Sequence, residues 1–212
     1  MTPAYFARVR PTYIENWPPA LHALSVPHRD LPLTLAEARA LGGRNPAFRD
    51  RTGAARYQSV DGLAERLAAA LRLYPEGAFV RLGSRSGKDS TYAARHGLRV
   101  NNAAAALALL TEDSARIAFD LRMALRFNYP PHVFVRRWLD IPAWAEFRCF
   151  MKSRQLVGIS QYDCKNLGHR PEIAEKAERI KAVIEAFFEV VRAASHLDEA
   201  VFDVFISASK GG

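Results

Sequence analysis

Three groups of residues carry side chains that could do chemistry. The first is the run Gly83-Ser84-Arg85-Ser86-Gly87-Lys88-Asp89-Ser90. Its glycines and serines let backbone amides approach phosphate oxygens, while Arg85 and Lys88 supply charged donors. An exposed polar turn would have the same composition. A Walker-type phosphate loop is excluded, because that pattern needs glycine where Leu82 stands and a hydroxyl where Asp89 stands. The second is Arg81, a cation inside the apolar run Phe79-Val80-Arg81-Leu82, which must either reach an edge or face an anion. The third is Asp203 in Val201-Phe202-Asp203-Val204-Phe205, on the face of Val201 and Phe205. A carboxylate there needs a partner, either a hard cation such as Mg²⁺ or one of the arginines.

Polar groups also concentrate between Val133 and Asp163. Val133–Trp138 reads as a strand, and Ala145–Met151 alternates, with Ala145, Phe147, Cys149 and Met151 on one face and Glu146, Arg148, Phe150 and Lys152 on the other. After a polar turn at Ser153–Gln155, Leu156–Asp163 reads as a third strand, pairing with the second so that Gln161 and Asp163 join the face of Glu146 and Arg148. Together with Arg136 and Arg137 these are costly groups to hold in strands unless they bind something or one another. A solvated sheet face with surface ion pairs is the plainer alternative.

The elements that must position these groups follow from periodicity. Residues Met1–Asp30, with Pro3, Pro11, Pro18, Pro19 and Pro27, read as an irregular, partly ordered arm laid over the body. Thr34–Ala40 is a short helix capped by Thr34, and Gly42-Gly43 ends it. Asn45–Ser59, with Arg49, Arg51 and Arg56, reads as a basic loop or a variable insertion. Asp61–Leu73 is an amphipathic helix with Leu63, Leu67, Leu71 and Leu73 on its apolar side. Gly77–Leu82 is a strand; helical patterns cover Ala93–Gly97, Ala103–Leu110 and Ser114–Phe127, and Tyr129-Pro130-Pro131 breaks the last. Pro171–Ala194 is a long helix with Ile173, Ala177, Ile180, Ile184, Phe187 and Val191 on one stripe; Val201–Ile206 is a strand and Ser207–Gly212 opens a turn. The fold class expected is α+β, a mostly antiparallel sheet with packed helices.

The chain of 212 residues suffices for one large domain or two small lobes. A net charge of +8 favours an anionic partner: nucleotide, nucleic acid or an acidic protein surface. Arginine richness beside alanine runs is equally the mark of a GC-rich genome. Cys149 and Cys164 lack metal-ligand spacing and read as reduced thiols. The N-terminus has no apolar leader core and the longest apolar run, Ala103–Leu110, is too short for a bilayer, so no membrane partner and a cytoplasmic setting are expected.

The segments GAFVRLGSRSGKDS, FVRRW, AEFRCFMKSRQLVGISQYD and VFDVFI, in that order from Gly77 onward, resemble the cell division cycle protein 123 family of the ATP-grasp superfamily. The resemblance implies an ATP-grasp-like fold of two lobes that hold ATP and Mg²⁺. It implies an N-terminal region at 1–76, a lobe with the phosphate loop at 77–131 and a second lobe at 132–212. Arg81 stands where that family usually has a phosphate-contacting lysine. Ser84, Arg85, Ser86, Gly87, Lys88 and Asp89 match its flexible phosphate loop, and Val133–Arg137, with Val135 and Arg136, its adenine-binding hinge. Glu146, Arg148, Gln161 and Asp163 match polar cleft positions, with Tyr162 in place of the usual arginine. Asp203 matches the first Mg²⁺ ligand. The family's next strand, bearing a further Asp and an Asn, lies beyond the turn in which the sequence stops, so the metal site is expected to be incomplete.

The function implied is that of an ATP-dependent ligase-type enzyme activating a carboxylate, with Arg148 and Lys88 neutralising charge in the reaction. The alternatives are an ATP-dependent assembly chaperone for a protein client such as a translation factor, a ligase acting on nucleic acid, or a member that retains only the fold.

Overall fold

Local signals set where the helices begin. In the computed structural model, which describes residues 1–55, 59–164 and 171–206, Thr34 caps α3 (Leu35–Gly43). Its Oγ1 accepts from the Glu37 amide while the Glu37 carboxylate accepts from the Thr34 amide, a reciprocal pair that satisfies two end groups. Asn45, Ser90, Asn102 and Ser114 cap α4 (Pro46–Thr52), α6 (Thr91–His96), α7 (Ala103–Thr111) and α8 (Ala115–Arg126), each side-chain oxygen accepting from one first-turn amide. The helix α5 (Asp61–Leu71) buries Leu63, Leu67 and Leu71, but Leu73 falls beyond its end and is exposed.

Two stretches expected to be irregular hold regular elements instead. The arm contains α1 (Pro3–Val9), α2 (Pro19–Ala23) and a strand, β1 (His28–Pro32). Thr2 and Pro3 start α1, and Phe6 is buried by stacking on Phe127. The basic loop holds α4, fixed by fully buried Phe48; Arg56 lies outside the described residues.

The chain divides into two compact units, residues Met1–Asn16 with Ser25–Trp138 and residues Trp17–Leu24 with Leu139–Gly212. The first unit holds a four-stranded antiparallel sheet in the order β1-β4-β2-β3, where β2 is Ala78–Leu82, β3 is Arg99–Val100 and β4 is His132–Arg137. Its core joins Val80, Leu82, Val133 and Val135 to buried residues of α3, α5, α7 and α8.

The second unit holds a three-stranded antiparallel sheet, order β6-β5-β7, from β5 (Glu146–Lys152), β6 (Gln155–Gln161) and β7 (Ala200–Phe205). The three strands expected in Val133–Asp163 are present, the second and third paired as a hairpin, while the first, β4, belongs to the first unit's sheet. The expected long helix is also two, α9 (Pro171–Glu175) and α10 (Ala177–Ala194), with Lys176 between them. Ile184, Phe188 and Val191 form the buried stripe of α10, so Phe188 takes the place expected for Phe187. Residues Ser207–Gly212, where a turn was expected, lie outside the described residues. Both sheets are antiparallel and helices pack on them, the α+β class expected.

Candidate functional site

In the first unit, β2 turns Ala78, Val80 and Leu82 into the core and leaves Phe79 and Arg81 on the opposite face. Antiparallel pairing places Phe79 across from Arg136 and Arg81 across from Phe134, so two cations and two aromatic rings alternate on one face. Arg81 donates from Nε to the Leu82 carbonyl at 2.9 Å. Arg136 donates to Ser25 Oγ at 3.0 Å, and burial pulls its pKa below the ordinary arginine value. Val135 points into the core and is paired on both sides, with Arg29 and Val80. Its backbone therefore belongs to the sheet.

The loop after β2 is fastened rather than loose. Ser86 is buried and bridges to Arg81. A Cβ on Gly87 would stand 2.3 Å from the Leu109 carbonyl oxygen, so only glycine fits. Asp89 accepts from the Ser114 hydroxyl at 2.6 Å and from the Arg116 amide at 3.0 Å, holding the start of α8. Lys88 is exposed. Ser84 and Arg85 both turn to Asp120, with Arg85 Nε 3.3 Å from its carboxylate. Burial raises the Asp120 pKa, opposed by Ser84 and Arg85.

Two acids here were missed in the sequence. Asp120 stands among the inward positions Ile117, Leu121 and Ala124 of α8, a helical-phase signal for a buried carboxylate. Glu15 gave none. It lies against Gly83, accepts from the Tyr129 hydroxyl at 3.0 Å, and has its pKa raised by burial. Tyr13 beside them is pushed up to about 12, chiefly by burial.

In the second unit, β5 buries Phe147, Cys149 and Met151 and shows Arg148 on its other face. Register puts Arg148 across from Asp203. The guanidinium grips the carboxylate with Nε to Oδ1 at 2.8 Å and Nη2 to Oδ2 at 3.0 Å, and lies 4.7 Å over the Tyr162 ring. That hydrogen bonding raises the Arg148 pKa further. Of the alternatives for Asp203, the arginine pairing is therefore present. Glu146 opens β5, its carbonyl accepting from the Tyr162 amide.

Gln161 does not join Arg148. A bulge between Phe150 and Met151 shifts the register, so Gln161 opposes Phe147 on the buried face and Ser160 opposes Arg148. Asp163 sits in the turn beyond β6. The Cys149 thiol is pushed up to about 11 by burial, which leaves it unreactive, while Cys164 is exposed. Among the described residues no cluster of three or more His, Cys, Asp or Glu could hold a metal.

The sequence model of the D123 family matches residues 45–211. The chain belongs to the D123 family. The match starts earlier than the resemblance at Gly77. Cell division cycle protein 123 of Yarrowia lipolytica is 34% identical over 104 residues, 46% of this chain and 27% of that protein. The translation initiation factor eIF2 assembly protein of Xenopus tropicalis is 35% identical over 79 residues, 37% of this chain and 23% of that protein. The matched part thus spans about a quarter of these relatives' length. The structure of Cdc123 from Schizosaccharomyces pombe superposes with a TM-score of 0.74 at 19% identity, covering 95% of this chain and 80% of that one. The fold is therefore the D123 fold along nearly the whole chain. No described helix is long and apolar enough to cross a membrane.

Proposed function

We propose that the chain is a nucleotide-dependent assembly factor, binding Mg-ATP in the ATP-grasp manner and acting on a protein client such as a translation factor in the cytoplasm. The observation that carries the nucleotide part is the alternation of Arg81, Phe134, Phe79 and Arg136 on one sheet face. Cations supply charge-assisted donors for phosphate oxygens, and the half-buried Phe79 ring, backed by fully buried Phe134, supplies an apolar surface for a base. Lys88 is the further cation of this unit assigned to the phosphates; in the second unit, Asp203, gripped by Arg148, is assigned to Mg²⁺. The client part is supported by the names of the relatives: eIF2 assembly is what the Xenopus proteins are named for.

The test is calorimetric titration of ATP with and without Mg²⁺, on this chain and on Arg81→Ala. Mg²⁺-dependent binding that weakens about tenfold or more in the variant is expected, since a hydrogen bond to a charged group is worth about 1.5–3 kcal/mol. Absence of binding to the unaltered chain removes the nucleotide part. An assembly factor binds ATP with little turnover and co-purifies with its client. ATP turnover that starts only when a carboxylate acceptor is added would instead establish the ligase activity.

A further inference from the structure

On the first unit, guanidinium groups lie over aromatic rings in a connected row. Arg85 and Arg122 sit 5.5 and 5.8 Å from the centre of the Phe119 ring. One turn further along α8, Arg126 lies 5.5 Å over Phe127. Phe127 stacks on Phe6 at 4.4 Å, and Phe6 meets the edge of Tyr129, over which Arg10 sits at 5.8 Å. The spacing 119, 122 and 126 puts the helical members on one side of α8. The only acid of that helix, Asp120, is turned inward and takes Arg85.

Arg10, Arg122 and Arg126 make no ion pair among the described residues. The Nε of Arg122 is buried with no hydrogen-bond acceptor there. A guanidinium held over a ring loses little further freedom when it binds, and its outward N–H edge fits a phosphate oxygen pair. Next to the row, Tyr5 is 44% exposed and carries the Arg8 guanidinium 5.3 Å over its ring.

We propose that this row binds single-stranded nucleic acid, its phosphates meeting the outward N–H edges of Arg10, Arg122 and Arg126 and its unpaired bases stacking on the outer side of the guanidinium–ring pairs. Charge complementarity selects a polyanion. The interleaved rings select one with exposed bases over an acidic peptide or a duplex, whose bases are stacked away. A bilayer is a poor match: the exposed large apolar side chains of the described residues in this unit are Tyr5 and Leu73, too few to enter it. The row shares only Arg85's loop with the nucleotide face, and its test does not depend on ATP.

The experiment is fluorescence anisotropy of a labelled oligouridylate titrated with the whole chain over a range of salt. The comparison is between Arg122→Gln/Arg126→Gln and the exposed pair Arg39→Gln/Arg72→Gln, which removes equal charge elsewhere; thermal melting confirms that both fold. The expected result is salt-dependent binding that falls about tenfold or more in the first double variant, with a log–log salt slope shallower by about 1.4, against little change in the second. Equal losses in the two variants would mean attraction by net charge alone and overturn the proposal. So would absence of oligouridylate binding, whether or not phosphatidylserine vesicles bind, and so would displacement by polyglutamate as effective as by unlabelled oligouridylate.

Discussion

Arg148 and Asp203, 55 positions apart in sequence, meet side by side across β5 and β7 with both guanidinium donors on both carboxylate oxygens. The pair sits on the open face of its sheet, 41% and 36% exposed at the side chains, so its stabilising effect is small, about 1 kcal/mol or less. A planar fork fixed in this way is better explained by the orientation it gives Asp203 than by the stability it adds. Asp203→Ala is therefore expected to fold normally and melt close to the unaltered chain, while calorimetry shows the Mg²⁺-dependent part of ATP binding gone. Unchanged Mg²⁺-dependent affinity in the variant would take the metal role away from Asp203.

Lys88 and Asp89 are neighbours with different expected phenotypes. Lys88 is exposed, whereas both Asp89 oxygens hold the first turn of α8. Lys88→Ala should leave the melting temperature unchanged and weaken ATP more than AMP, because its assignment is to the outer phosphates. Asp89→Ala should cost about 1–2 kcal/mol in chemical denaturation, as loss of a helix-start acceptor does. Equal losses of ATP and AMP in Lys88→Ala would move the lysine away from the phosphates.

Much of this arrangement was legible because burial differs sharply between the faces of short elements. Alternation in Phe147–Met151 identified the buried face of β5, and Thr34 and Ser114 announced helix starts. Gln161 was placed on the wrong face for a definable reason. The two-residue turn Ser153-Arg154, both at positive φ, pairs Lys152 with Gln155, and continuing that register would set Gln161 against Glu146. The bulge inserts one residue and reverses the face of everything beyond it. The partner of β4 was equally hidden, since its neighbours β1 and β2 come from far away in sequence and no local period encodes which strands meet. Glu15 was invisible because its burial depends on Gly83 and Tyr129, neither of them local to it.

The His132 ring stands 2.8 Å from one Asp30 oxygen and 3.0 Å from the other, and this hydrogen bonding raises its pKa above the ordinary 6.5. Glu15 also faces it and favours the protonated ring. A raised folded value means that the native state holds the proton more tightly than the unfolded chain. The stability that the pair contributes is complete below about pH 6.5 and is lost as pH rises through the folded value. Melting temperature should thus fall from about pH 6 to pH 8, and Asp30→Asn should flatten that slope while lowering stability most at the acid end. A slope unchanged in Asp30→Asn would assign the titration to another group.

Gly83 is held to glycine by Glu15: an added Cβ would lie 1.6 Å from Oε2, inside the carboxylate. The Glu15 carboxylate has little room to withdraw, because its other oxygen accepts from Tyr129 and the Ile14 amide is bonded to the Gly83 carbonyl at 3.3 Å. Gly83→Ala should therefore destabilise the chain by about 1–3 kcal/mol through overpacking. Glu15→Ala removes the obstructing carboxylate, at the cost of the Tyr129 hydrogen bond. In the Glu15→Ala background Gly83→Ala should cost much less, giving a coupling of about 1 kcal/mol or more in a double-mutant cycle by urea denaturation. Additive effects would mean that the two residues do not touch, and would separate the N-terminal segment from the loop that follows β2.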